Sequence, residues 1–369
     1  MDKLKRYIEC YIDTETCNFR CHYCYIALLN RFNKKLVKFS HSPEEIRKAL
    51  SKKRLGGTCL LNFCAGGETL LSDDVIPVLK ALLEEGHYVM VVTNGSLTKR
   101  FEQIKKFDKE LLERLFFKFS FHYLELKRLN MMDRFFDNIK MMKEAGCSFT
   151  LEVTPNDEFI PYIDDMIKIS EEKLGAKPHC TIARDDRKKG IDVLSKYDFE
   201  EYKKIWSKLD SNLFDFKKDI FYKKRKEFCY AGDWSIYLNL SNGDIKQCYC
   251  GRVIDNIFKN VEKQIKFEAI GSNCKLPHCY NGHAFLTLGD IPELKTPTYF
   301  SLRDRISNDG THFVTKKMAD FLSQKLYDNN KEYTKKEKDK INRMYKLKEV
   351  EEIPRVFLKK VVRKINVKK

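Results

Sequence analysis

Up to about residue 190 the chain alternates two hydrophobic rhythms. Short, nearly continuous apolar runs at 7–14, 58–64, 87–93, 115–122, 147–154 and 179–183 read as strands. Stretches with helical periodicity separate them, at about 43–54, 72–86, 97–112, 133–145 and 159–174. The first of these has a clear start, with Ser42 as cap, Pro43 at the first position and Glu45 three residues past the cap. The fourth stops at Gly146, a residue suited to a left-handed C-terminal position. Strands alternating with helices predict parallel βαβ units with right-handed crossovers. Runs such as Val89-Met90-Val91-Val92 suit a sheet buried on both faces. Six units fall short of the eight of a closed barrel. The expected fold is therefore α/β, a partial (β/α)6 TIM-like barrel over 1–190, with its active site on the loops after the strands.

The texture then changes. Residues 191–228 read as a charged, aromatic-bearing helical linker. Residues 229–290 are rich in Cys, Gly, Asn and Tyr, and Asn242-Gly243 marks a hairpin turn between the alternating runs 234–240 and 244–249. This region reads as a small Cys-rich α+β hairpin domain. Residues 291–330 carry Pro292, Pro297 and several aromatics and should pack back on the body, and 331–369 form a basic tail, helical or disordered.

Composition narrows the partners. The 369 residues are 43% hydrophobic and 33% charged, with a net charge of +17. The last 39 residues hold 15 Lys/Arg against 6 Asp/Glu and so supply +9 of that total. The body is only mildly basic, so no specific nucleic-acid partner is expected. Within the tail, Leu358, Val361, Val362 and Ile365 recur at helical spacing among seven Lys/Arg of 355–369. A helix there suits peripheral contact with an anionic membrane, an acidic partner, or docking on the body. No apolar run approaches the ~20 residues that span a bilayer, and 1–6 lack the apolar core of a signal peptide. A cytoplasmic location is expected, where thiols stay reduced, and thirteen cysteines there argue for metal ligation.

Three of those cysteines stand in Cys17-Asn18-Phe19-Arg20-Cys21-His22-Tyr23-Cys24, just after the first strand. Three thiolates this close can hold three corners of a cubane iron–sulfur cluster and leave one iron open. Tyr23 can shield such a cluster from water, and a zinc knuckle is the rival reading. After the second strand comes Cys64-Ala65-Gly66-Gly67-Glu68, where two glycines let backbone approach a ligand and Glu68 adds a carboxylate.

The C-x3-C-x2-C spacing, the aromatic before its last cysteine and the later Gly-Gly-Glu together resemble the radical S-adenosylmethionine (SAM) superfamily. The resemblance implies a SAM-cleaving enzyme. Cys17, Cys21 and Cys24 would hold a 4Fe–4S cluster, with Gly66, Gly67 and Glu68 at the methionine amino group of SAM. By position, Asn94 of Thr93-Asn94-Gly95 and Ser120 would reach the ribose or the cluster. Arg128 and Arg134 are candidates for the SAM carboxylate, and Glu152, Thr154 and Arg184 lie near later strand ends. A reductant such as flavodoxin or ferredoxin is implied.

A second group, Cys229, Gly243 and Cys248 in a C-x13-G-x4-C hairpin followed by Cys250, Cys274 and Cys279, resembles the start of the SPASM/Twitch extension. It implies one auxiliary 4Fe–4S cluster, ligated by Cys229, Cys248 and members of the later three, with His278 in reserve. A structural zinc site is the alternative. Cys10, Cys59, Cys147 and Cys180 read as small buried hydrophobes, and Cys64 as core or as a hydrogen-atom donor. Tyr249 stands where sulfatase-maturating relatives carry a catalytic Asp, so their mechanism is not implied. With 16 residues ahead of Cys17, the leader-recognition domain that peptide-modifying relatives often carry is not expected. The expected substrate is a peptide or protein side chain, with a sugar or other small molecule as alternative, and a zinc-binding interaction module with a basic tail as the reading of another class.

Overall fold

The computed structural model describes residues 2–188 and 190–348. Eleven strands are present among them. Six are the strands of the alternating region: β1 (Arg6–Ile12), β2 (Cys59–Ala65), β3 (Tyr88–Thr93), β4 (Leu115–Ser120), β5 (Ser148–Val153) and β6 (His179–Cys180). Each pairs in parallel with the next. A two-stranded antiparallel ribbon, β7 (Arg184–Asp185) and β8 (Asp192–Val193), follows β6. The hairpin strands β9 (Ser235–Asn239) and β10 (Asp244–Lys246), with β11 (Val253–Asn256), complete the set.

The hairpin does not stand apart. β9 runs parallel to β1 with Tyr7 opposite Ser235 and Tyr11 opposite Asn239, giving one nine-stranded sheet in the order β11-β10-β9-β1-β2-β3-β4-β5-β6. The Cys-rich region is thus grafted onto the β1 edge of the partial barrel, where its backbone pairing covers an otherwise open edge.

Helix ends follow local chemistry. The capping box at Ser42 forms as the pattern predicts, but the helix stops at Ala49 and restarts at Lys52–Leu55. Helices Val75–Glu84, Thr98–Ile104 and Met132–Glu144 cover the outer face of the sheet. There Ile8, Leu61, Val89, Val91 and Phe117 pack against Leu79, Leu82 and Phe101. The stretch 191–228 is more than a connection, because helices Phe199–Trp206 and Asn212–Ile220 bury Tyr202, Trp206 and Phe214 in that same core.

The inward face is filled differently. At its N-terminal end Tyr7, Leu60, Met90 and Phe116 pack with Trp234, Phe285, Tyr299, Met318 and Phe321, so the chain after the hairpin plugs the bottom of the barrel. One layer higher the inward residues turn polar. Glu9 stands opposite Asn62, and Lys118 opposite Thr150, with Glu152 beyond it. Residues 335–348 are helical and Tyr345 is buried on the plug. The amphipathic pattern at 355–369 lies outside the described residues. No helix among the described residues is long and apolar enough to cross a membrane.

Candidate functional site

Two adjoining cavities open at the C-terminal ends of the strands. The smaller, of about 90 Å3, is lined by Cys17, Cys21, Cys24, Gly66, Gly67, Glu68, Thr93, Asn94, Ser120 and His122, among others. The fold therefore gathers the first cysteine group, the Gly-Gly-Glu turn and both strand-end candidates around one space.

Local chemistry explains how. Beyond β2 the backbone keeps zipping onto the segment that leads to the cysteines, with Gly66, Gly67 and Glu68 N–H donating to the carbonyls of Ile12 (3.2 Å), Thr14 (2.7 Å) and Thr16 (3.1 Å). A Cβ on Gly66 would lie 2.3 Å from the Thr14 carbonyl oxygen, and one on Gly67 1.9 Å from that of Thr16. Only glycine permits this approach. Tyr25 Oη donates to the Gly66 carbonyl at 2.8 Å and ties the helix after Cys24 to the same turn.

Glu68 points into the structure. One carboxylate oxygen accepts from Thr93 Oγ1 (2.6 Å) and Leu70 N–H (3.0 Å), the other from Asn94 N–H (2.8 Å). Burial pushes its carboxyl up, and these three donors counter that rise. The side chain locks the end of β3 to the end of β2, which leaves backbone to face the cavity. Asn94 Nδ2 donates to Asn18 Oδ1 at 2.8 Å and lies 3.9 Å from Cys17 Sγ. Arg20 N–H donates to Glu125, which Arg128 holds through paired contacts at 2.8 and 2.9 Å. Arg128 thus braces the cysteine loop through Glu125. Arg134 is exposed on its helix and lines neither cavity.

Cys21 is buried and Cys17 and Cys24 are half-buried; burial pushes all three thiols up, Cys17 to about 11. Tyr23 packs edge-on against Phe159, and its hydroxyl lies 2.5 Å from His122 Nδ1. Burial lowers His122 to about 4 and raises Tyr23, so at neutral pH both rings are uncharged and one proton joins Tyr23 Oη to His122 Nδ1.

The larger cavity, of about 320 Å3, shares Cys24 and His122 with the first. Its other walls include Tyr23, Lys118, Glu152, Thr154, Arg184, Lys217, Tyr249, Tyr280, Asn281 and His283. Burial raises the Glu152 carboxyl, but Arg303, Lys118 and Lys217 outweigh it and hold it low. Below lies Glu9, which accepts from Tyr7 Oη, Asn62 Nδ2 (2.9 Å) and Asn281 Nδ2 (3.0 Å). The sequence reading passed over Glu9, Asn62, Lys118, Lys217, His122, Asn281 and His283. A signal existed for three of them: Glu9, Asn62 and Lys118 each interrupt an apolar strand on its inward phase.

The second cysteine group lies at the hairpin. Cys248 and Cys250 Sγ are 3.3 Å apart, Cys250 in turn touches Cys274, and Cys229 and Cys279 lie within electrostatic reach of Cys274. Contact with Cys248 pushes the Cys250 thiol up to about 12 and contact with Cys250 raises Cys274, while burial raises Cys229 and pushes Cys279 up to about 12. His278 sits 4.1 Å from the Phe221 ring centroid, with neither ring nitrogen bonded among the described residues. Among the described residues no three Cys, His, Asp or Glu side chains converge on a point that would hold a single metal ion. Cys10, Cys59, Cys147 and Cys180 are buried, and Cys64 is half-buried beside Tyr11 and Tyr237.

Residues 11–168 match the family model of the Radical SAM superfamily. This part of the chain is a radical SAM domain. No curated protein matches the chain. Among solved structures it is similar to SuiB of Streptococcus suis at 16% identity and a TM-score of 0.49, over 72% of this chain and 66% of SuiB. It is also similar to anSMEcpe with bound AdoMet, at 16% identity and a TM-score of 0.43, over 69% of this chain and 79% of that one. BtrN, in complex with AdoMet and 2-DOIA, follows at 15% identity and a TM-score of 0.32, over 71% and 82%. The chain spans just under two thirds of the length of SuiB. At these scores the likenesses carry no argument about activity, and the assignment rests on 11–168.

Proposed function

We propose that the chain is a SAM-dependent radical enzyme in which Cys17, Cys21 and Cys24 hold a 4Fe–4S cluster and the smaller cavity holds SAM. The observation that carries this is the convergence of that triplet with the Gly66–Gly67 backbone, Asn94 and Ser120 on one space. The donor set suits the group, since three thiolates leave one iron of a cubane open to a ligand. Bound there, cluster and SAM supply a one-electron cleavage that yields a hydrogen-abstracting radical.

The protein's own residues do the rest. Gly66 and Gly67 bring bare backbone to the ligand, and Glu68 fixes the Thr93-Asn94 turn beside Cys17. Phe19, Ile26 and Phe32 on the cavity wall limit water at the cysteines. Tyr23 and His122 form the partition towards the larger cavity, which receives the substrate. The His122 ring, Lys118 and Arg184 are the polar groups that orient it.

The substrate of this reading is a peptide or protein side chain; a sugar or other small molecule is the second reading, because about 320 Å3 suits either. Cys229 and Cys248, with members of the group Cys250, Cys274 and Cys279, supply the ligands of one auxiliary 4Fe–4S cluster on the β9–β10 hairpin. A flavodoxin or ferredoxin delivers the electron. Anaerobic reconstitution tests all of this. The protein should bind about eight irons, two cubanes, and cleave SAM on reduction. A Cys24→Ala variant should keep about half the iron and cleave none. Colourless protein holding only zinc would sink the proposal and favour the interaction module.

A further inference from the structure

The larger cavity contains more positive charge than its own acids balance. Lys118, Arg184 and Lys217 line it against Glu152 and Asp186. Glu152 is already committed, with Arg303 Nε at 3.2 Å and Lys118 Nζ at 3.9 Å. Arg303 itself is 0% exposed and lies over the Tyr299 ring, so one carboxylate answers a fully buried guanidinium as well as a lysine. Lys217, on the helix Asn212–Ile220, is only 6% exposed, and its ammonium makes no hydrogen bond and no close ion pair among the described residues. Arg184 donates a long 3.4 Å bond to the Tyr280 carbonyl and otherwise fronts the space.

An ammonium held out of water is strongly disfavoured when its one nearby counter-charge, Glu152, is already shared with Arg303 and Lys118. Burial and the neighbouring Arg184 and Arg303 drive the Lys217 amine well below its usual range. An anion entering the cavity reverses that penalty and gains charge-assisted hydrogen bonds. Tyr249, Tyr280 and Asn281 frame the same space with groups that hydrogen-bond a polar molecule.

We infer that the substrate carries an anionic group, a phosphate or a carboxylate, which seats against Lys217 and Arg184 in the barrel mouth. This deepens the proposed function and rests on it for the word substrate. The group is distinct from the carboxylate of SAM, because Lys217 and Arg184 line the larger cavity and not the one that holds the cysteine triplet.

The test uses the full chain, anaerobically reconstituted, with SAM present, titrated with inorganic phosphate and separately with succinate while its thermal midpoint is followed. A saturable rise with one of them is expected, phosphate indicating a phosphorylated substrate and succinate a carboxylic one. Lys217→Met should weaken that response about tenfold or more, and Lys217→Arg should retain it. Removing the buried ammonium should also raise the melting temperature without anion, which shows that Lys217→Met folds. Arg184→Gln gives a second, half-buried probe of the same site. No saturable response to either anion, an unchanged response in both variants, or loss of binding as SAM is added would overturn the inference. Protein that binds the anion but cleaves no SAM removes the radical reading and leaves the anion site standing. SAM cleavage without an anion response does the opposite.

Discussion

At Gly67 a methyl group would need the space of the Thr16 carbonyl oxygen, 1.9 Å from where its carbon would sit. The contact is with backbone, which cannot swing aside. Gly67→Ala is therefore expected to pull the Gly-Gly-Glu turn off the 12–16 segment and displace the cysteine loop behind it. Reconstituted Gly67→Ala should lose most of its SAM-cleaving activity and part of its iron. Gly190→Ala, whose Cβ would meet nothing nearer than 3.7 Å, should behave as wild type in both assays. The two glycines were legible as a place where backbone meets a ligand. That Glu68 spends its carboxylate on Thr93, Asn94 and Leu70 was not, because those partners come from another strand end.

At the scale of elements, the segment after the hairpin is held by a buried lysine. Lys325 Nζ donates among the carbonyls of Thr287 (2.6 Å), Thr296 (3.1 Å) and Pro297 (2.6 Å) and to Thr296 Oγ1 (2.9 Å). It joins the end of helix Gly282–Leu288 to the loop before Tyr299–Arg303. Lys325→Ala strands those carbonyls and should cost about 3 kcal/mol or more, read as a lower urea midpoint with unchanged slope. The same elements bear His283 and Arg303, so the loosened plug should also slow turnover. Most strands and helices up to residue 180 follow the periodicity, since each buries a face whose pattern is local, but the helix expected at 97–112 divides into Thr98–Ile104 and Lys109–Leu112. Helix 43–54 splits in two, because Leu50 and Ser51 leave helical geometry at a turn that periodicity does not register.

For the whole molecule, buried histidines set the acid limit. Burial lowers His87, His122 and His278 to about 4, and drives His179 and His283 well down. In the unfolded chain these rings take protons near the ordinary value of 6.5, while the folded ones stay neutral until about pH 4. Their stabilisation is thus complete above pH 6.5 and is lost as pH falls towards 4. The melting temperature should drop steadily across that window. His87 lies away from both cysteine groups, accepting from Cys59 N–H (3.1 Å) and donating to the Leu50 carbonyl (2.8 Å). His87→Gln should lower stability at pH 7 and flatten the fall between pH 6.5 and 4.

The sequence by itself determined the strand and helix order, the two cysteine groups and the Gly-Gly-Glu turn, because spacing, caps and apolar phase are written in neighbouring residues. Only the tertiary structure decided that the hairpin joins the sheet at β1 and that the residues after it plug the barrel floor. It also decided that Lys118, Glu152 and Lys217 line one cavity, with Arg303 buried behind Glu152. Those relations unite residues far apart along the chain, Tyr7 with Ser235 and Lys118 with Arg303 among them. A charge gains its meaning there from what stands across the cavity, which no local pattern records.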